Sequence, residues 1–236
     1  MDYQGSLSTM LQGQMEKIET GSSNVNTLLQ QGASVASLFE AERSLGPNLA
    51  RSTFVSAFYD LALFEDRMMV EWLLQENNGE DVRYRLASVL LRPEVQKKYN
   101  VVIIDVPPRL SAGTINALCT STHILVPTIF NPIAAKPVAN FLDATTRLMH
   151  GLNPTAKFVG VVETMALPSN IGQEPTEKGR GTIENALRRY PGIPILEKKV
   201  PRGVAFAKGG IAYLEDSDAR AIFKELGDEI SQRIGL

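Results

Sequence analysis

The sequence predicts an α/β fold: a doubly wound, mostly parallel sheet with helices on both faces. Short apolar runs rich in β-branched residues alternate with segments of helical periodicity, and this alternation is typical of crossover units. The run Val101 to Ile104 has no polar alternation, which predicts a strand buried on both faces of such a sheet. Neither a repeat nor an obvious linker divides the 236 residues, so we expect one domain over 1–236.

The N-terminal part is predicted to contain loops and helices with one strand. Ser, Thr, Gln, Asn and Gly dominate residues 4–31, where only a short helix at 7–18 is expected. Ser34 is a candidate cap for a helix that runs through Glu42. A strand is predicted within 52–58, and Asp60 and Asp81 are each expected to open an amphipathic helix.

The remainder alternates strands with helices. Strands are predicted at 101–104, 124–126, 158–165 and 193–200, and helices at 114–119, 134–150, 183–190 and 216–234. The polar, glycine-bearing stretch 168–181 is predicted to be a loop.

The composition is that of an ordinary globular protein. The net charge is −2, so a charged partner must be met by a local patch. The single cysteine, Cys119, excludes an internal disulfide and fits a reducing compartment. No apolar run reaches the roughly 18 residues of a membrane span, and the start lacks the pattern of a signal peptide, so we expect a cytoplasmic protein that does not bind membranes.

Asp105 marks the end of the apolar run at 101–104. A carboxylate there would stand at the carboxyl edge of a parallel sheet, where open α/β folds bind ligands. Pro107 and Pro108 then stop the strand because neither can donate to a ladder. The alternative is an ordinary core strand whose Asp105 caps the next turn.

Several motifs together resemble the ParA/Soj/MinD family of deviant P-loop ATPases, the chromosome and plasmid partition proteins. The run Y-N-V-V-I-I-D-V-P-P at 99–108 is similar to the family's Walker B strand and the start of switch II, and T-I-N-A-L at 114–118 to its sequel. V-P-T-I-F-N-P at 126–132 and V-P-R at 200–202 resemble later family segments. D-Y-Q-G-S-L-S-T at 2–9 is similar to the second half of switch I.

The resemblance implies a P-loop NTPase-like fold that binds ATP and Mg²⁺. By this resemblance Asp105 holds Mg²⁺ through water, Asp2 positions the attacking water, and Gln4 lies at the nucleotide. The family's base pocket maps onto Thr164, Met165 and Pro201. Asp2 is followed by Tyr3 where the family usually has proline.

The sequence contains no G-x-x-x-x-G-K-[ST] motif, the loop whose backbone N–H groups and lysine cradle phosphates. It resembles a family member that begins roughly forty residues late and lacks the first strand, the phosphate loop and the first helix. We therefore expect a hydrolysis-deficient chain with poor solubility or a need for a partner strand.

A basic segment suggests a second activity. Residues 178–208 contain eight basic residues and two acids, and family members bind DNA non-specifically through such phosphate contacts. The predicted DNA contacts are Arg188, Arg189, Lys198, Lys199 and Arg202. The alternative to a DNA-binding surface is an ordinary solvent-exposed helix and strand edge.

The resemblance also implies a homodimer, a ParB-like stimulating partner and association with the nucleoid. Two other functions stay open at this point. One is a non-enzymatic DNA-binding or dimerisation protein of the same fold, and the other is a MinD-like division or cell-wall regulator. The acidic last helix, with five acids between Asp216 and Glu229, does not favour a membrane-binding version of the latter.

Overall fold

The computed structural model describes residues 6–12, 23–45, 49, 51–74, 79–107, 109–167, 173–203 and 216–236. The chain forms two compact units, 1–120 and 121–236. Asp2 and Gln4 lie outside the described residues. The prediction of a single domain stays a prediction.

Helices dominate the first unit. They are α1 (Ser6–Gln12), α2 (Val25–Leu29), α3 (Val35–Ala41), α4 (Asp60–Leu73), α5 (Arg85–Leu90), α6 (Pro93–Lys98) and α7 (Ala112–Thr120), with a 3₁₀ turn at Val82–Tyr84. Strands β1 (Glu42–Ser44) and β2 (Thr53–Val55) pair antiparallel. The core of this unit is built from buried apolar side chains of α2 to α6, with Leu29, Leu61 and Val89 fully buried.

The predicted strand at 101–104 is wrong for this structure. Residues 101–107 form neither helix nor strand, and Val101, Val102 and Ile103 are 49%, 48% and 88% exposed. In the described part of the first unit, β1 and β2 pair with each other and not with this segment, so its β-branched residues join no ladder. Ile104 alone of the four packs against the core.

The second unit is a parallel sheet with helices. Its strands are β3 (His123–Thr128), β4 (Lys157–Ala166) and β5 (Val200–Pro201), and its helices are α8 (Pro132–Leu152), α9 (Gln173–Leu187) and α10 (Ser217–Ile234). The strand order is β3-β4-β5, and both pairings are parallel. The predicted α/β class with a parallel sheet is confirmed.

Two details of this unit differ from the sequence prediction. The third strand is short, because only Val200–Pro201 form a regular strand, although Ile195 also makes an isolated parallel bridge to Val161. The predicted loop at 168–181 is wrong from Gln173 onward, where α9 begins. Helix α9 passes close to the start of α8, and a Cβ on Gly179 would lie 2.5 Å from the backbone nitrogen of Asn131, so glycine permits this approach.

Gly160 fixes the middle of β4. Its φ is +146°, a conformation that L side chains rarely adopt, and an added Cβ would lie 2.5 Å from the carbonyl oxygen of Pro194. Next to it the Val161 N–H donates to the same oxygen at 2.8 Å, and the Leu196 N–H donates to the Val161 oxygen at 2.8 Å. Close backbone approach at Gly160 thus sets how the segment before β5 runs along β4.

No helix in the described part of the chain is long and apolar enough to cross a membrane.

Candidate functional site

Asp105 lies in the segment 101–107 of the first unit, which forms neither helix nor strand. It is exposed and lines a cavity of about 400 Å³ whose other walls include β2 and the apolar side chains of the core. Mg²⁺ prefers oxygen ligands and is commonly held by one or two carboxylates together with waters and substrate phosphates. Among the described residues, no group of three or more His, Cys, Asp or Glu side chains is arranged to hold a metal ion.

Glu65 of α4 is buried beneath the loop that follows Asp105. It is only 4% exposed and accepts three hydrogen bonds from that loop and from the first turn of α7. The donors are Ser111 Oγ at 2.5 Å, the Gly113 backbone N–H at 2.7 Å and Arg109 Nη2 at 3.1 Å. Glu65 is not among the site residues predicted from the sequence. In the sequence, Glu65 is distinguished by its helical spacing from Leu61 and Met68, which places a charged residue on the side of α4 that faces the core.

The predicted base-pocket residues of the second unit come together at the carboxyl ends of neighbouring strands. Thr164 of β4 pairs with Val200, and Ala166 pairs with Pro201, with a register shift between the two pairs. Met165 lies at this shift, has a φ of +52° and is 49% exposed. A left-handed backbone at a residue other than glycine, asparagine or aspartate is uncommon and is concentrated at functional sites.

A partly buried ion pair lies next to this edge. The Glu163 side chain is 5% exposed, and its Oε2 accepts from Nη2 of Arg180 on α9 at 3.3 Å. The same guanidinium lies 4.9 Å from the ring centroid of Phe130, just before α8. The pair and the cation–π contact therefore connect β4, α9 and the loop between β3 and α8.

The predicted DNA contacts divide into two groups. Arg189 pairs with Asp143 at 3.4 Å, and Lys198 pairs with Glu225 at 2.8 Å. Arg188, Lys199 and Arg202 are exposed and form no ion pair with the part of the chain that the structure describes. The two groups are interleaved along the sequence, because Arg188 is directly followed by Arg189 and Lys198 by Lys199.

Known proteins resemble this chain in sequence. The family model described as "AAA domain" matches residues 1–158. The chromosome-partitioning ATPase Soj of Thermus thermophilus is 26% identical over 163 residues, which are 66% of this chain and 63% of that protein. The chromosome partitioning protein ParA of Myxococcus xanthus is 29% identical over 163 residues, 66% of this chain and 54% of that protein. This chain thus spans less than two thirds of the length of these relatives.

Two solved structures resemble the fold. The ATP complex of Cyanothece McdA superposes with a TM-score of 0.72 at 14% identity, covering all of this chain and 84% of that one. The cobyrinic acid a,c-diamide synthase of Mycobacterium smegmatis, solved with an ATP analogue and magnesium, superposes with a TM-score of 0.64 at 25% identity, covering 96% of this chain and 81% of that one.

Proposed function

Since this chain belongs to the ParA/Soj family of AAA-domain proteins, we propose that it is a ParA-type partition protein that binds a nucleoside triphosphate with Mg²⁺. The observation that carries this proposal is at the carboxyl ends of β4 and β5. There, residues that the family resemblance assigns to the base, Thr164, Met165 and Pro201, lie on neighbouring parallel strands beside an uncommon backbone conformation. Carboxyl ends of parallel strands are where open α/β folds bind nucleotides.

Each candidate residue has a role that its chemistry supports. Asp105 supplies a carboxylate for water-mediated contact with Mg²⁺, which when bound neutralises phosphate charge. Met165 lies at the register shift between β4 and β5, and its half-exposed side chain offers apolar surface to a base. Because the sequence lacks the phosphate-loop motif, we expect weak triphosphate binding and no hydrolysis above background.

Fluorescence anisotropy with a labelled ATP analogue, with and without Mg²⁺, tests this proposal. We expect saturable binding that Mg²⁺ strengthens, and loss of that Mg²⁺ effect in Asp105→Asn. Asp66→Asn on α4 is the matched control, because Asp66 is an exposed carboxylate of the same unit. Absence of saturable binding up to millimolar nucleotide would contradict the proposal, and phosphate release above background would contradict the expected lack of hydrolysis.

A second candidate function is DNA binding without nucleotide hydrolysis. It is favoured by Arg188, Lys199 and Arg202, whose exposed cationic groups form no ion pair with the described residues. Such groups can neutralise phosphates and release counterions, which makes binding strongly dependent on salt. A homodimer, a ParB-like stimulating partner and nucleoid association belong to the first proposal, that of a ParA-type partition protein.

Titration of duplex DNA over a salt series tests the second function. Replacing Arg188, Lys199 and Arg202 with alanine removes up to three cations that can neutralise phosphates. The slope of log K against log [salt] should therefore become less negative by roughly 0.9 for each phosphate that is no longer neutralised. The control replaces Arg189 and Lys198, whose charges are paired with carboxylates, and should change the slope less. Equal effects of the two sets of substitutions would refute the assignment of these three residues.

A further inference from the structure

The loop between Asp105 and α7 is attached to the first unit through one buried carboxylate. Glu65 Oε1 accepts from Ser111 Oγ and the Gly113 N–H, and Oε2 accepts from Arg109 Nη2. The three donors lie within five residues of one another, and α7 begins between them at Ala112. Glu65 therefore holds both the loop and the start of the helix that follows it.

The chemistry of these contacts makes the attachment specific. A backbone N–H in the first turn of a helix has no partner within the helix and favours a negative charge. Ser111 precedes α7, and its hydroxyl also accepts from the Thr114 N–H at 3.3 Å, as an N-cap does. Arg109 adds a charged donor at 3.1 Å, although its side chain is half exposed. Hydrogen bonds to an ionised group contribute more than neutral ones, particularly where one partner is buried.

The neighbouring residues toward Asp105 form no regular secondary structure. Residues 101–107 form no strand, and three consecutive side chains, Val101 to Ile103, are about half exposed or more. The loop from Arg109 to Ser111 makes local bonds, from the Arg109 N–H to the Pro107 oxygen at 2.8 Å and from the Ser111 N–H to the Arg109 oxygen at 3.1 Å. These local bonds shape the turn, whereas the bonds to Glu65 fix it to α4.

We propose that Glu65 is a positioning residue that holds residues 109–113 against α4 and thereby contributes to where the Asp105 carboxylate lies. Its proposed importance for Mg²⁺ rests on the proposed function, but the attachment itself does not. Loss of the Glu65 carboxylate releases Arg109 and the start of α7 together, while the rest of the unit stays folded.

Limited proteolysis with trypsin in the absence of nucleotide measures this directly. Trypsin must bind the Arg109 side chain to cut the bond to Leu110, so cleavage there requires release from Glu65. Cleavage after Arg67, in the middle of α4, reports unfolding of the unit instead. Peptides from both sites are quantified by mass spectrometry over time.

We expect Glu65→Ala to raise the rate of cleavage after Arg109 by about tenfold or more relative to cleavage after Arg67, because local opening no longer breaks three hydrogen bonds. Glu65→Gln keeps one acceptor oxygen without the charge and should give a smaller increase. Asp66→Asn should leave the ratio unchanged. If Glu65→Ala does not fold, Ser111→Ala, which removes one donor outside the core, should still raise the ratio by a few-fold.

Two results would overturn the inference. Equal acceleration at both sites would mean that Glu65 supports only the unit as a whole, and no acceleration in any variant would mean that the loop is held by other contacts. Failure of the nucleotide titration, with the proteolysis ratio as expected, would refute the proposed function while leaving the attachment intact.

Discussion

Replacing Gly160 with alanine should lower the free energy of unfolding strongly, although the substitution adds only one methyl group. The new Cβ would lie 2.5 Å from the Pro194 carbonyl oxygen and 2.4 Å from Leu196 Cδ1, and a φ of +146° is unfavourable for any residue with a side chain. The Leu196 methyl can move, but the carbonyl is part of the backbone that bonds to Val161. Backbone strain of this kind costs about 1–3 kcal/mol, and displacement of a packed neighbour costs a similar amount, so we expect a loss of roughly 3–4 kcal/mol.

Urea denaturation followed by circular dichroism measures this loss. Gly227→Ala is the matched control, since Gly227 lies within α10 and an added Cβ meets nothing within 4 Å. Gly227→Ala should raise the free energy of unfolding by about 0.5–1 kcal/mol, because alanine has a higher helix propensity than glycine. A free energy of unfolding for Gly160→Ala within about 1 kcal/mol of the wild type would refute the view that this close approach fixes β4.

Three further substitutions give separate tests. Met165→Gly should raise the free energy of unfolding by about 0.5–1 kcal/mol in urea denaturation, since glycine relieves the left-handed φ of an exposed residue; a destabilised variant would mean that the side chain contributes packing. Ile103→Ser should change the unfolding free energy by less than about 0.5 kcal/mol while reducing light scattering, because the side chain is 88% exposed; unchanged scattering would exclude this residue as a cause of association. A hydrogen bond from Tyr190 lowers the pKa of Asp143 below its ordinary value of 3.8; burial opposes this shift, and Arg147 and Arg189 aid it. The stabilising contribution of Asp143 is therefore present above that value and is lost as the pH falls through the folded pKa. Asp143→Asn should reduce the pH dependence of the thermal unfolding temperature at acid pH, and an unchanged pH dependence would contradict the pairing.

Local chemistry explains why many elements could be predicted from the sequence. Asp216 was expected at the start of the last helix, and its Oδ1 accepts from the Asp218 and Ala219 N–H groups. Asp81 likewise accepts from the Arg83 N–H, and Ser34 directly precedes α3. Caps of this kind depend on neighbouring residues only, so the sequence contains the information needed to recognise them.

The errors occur where tertiary contacts decide. The polar residues and glycines of 168–181 favour a loop, yet from Gln173 onward the chain forms α9, in which Gly179 lies close to the Asn131 backbone. The Val101–Ile104 run has high β-propensity, but that propensity is realised only beside a partner strand. Gly160 and Glu65 were missed for the same reason, since their importance lies in contacts with residues distant in sequence.

Residues 101–104 do not form the predicted strand, so the position of the Asp105 carboxylate is not fixed by a strand ladder. A carboxylate at the end of a paired strand is placed by the ladder, whereas Asp105 follows a segment without one, so the loop on its other side contributes to its position. That loop is attached to α4 through Glu65, 40 positions before Asp105 in the sequence. If Asp105 contacts Mg²⁺ only when the loop is held, Glu65→Ala and Asp105→Asn remove the same contribution, and their effects on Mg²⁺-dependent nucleotide affinity will not add. Additive effects in that double-mutant cycle would mean that Glu65 stabilises the loop without placing Asp105.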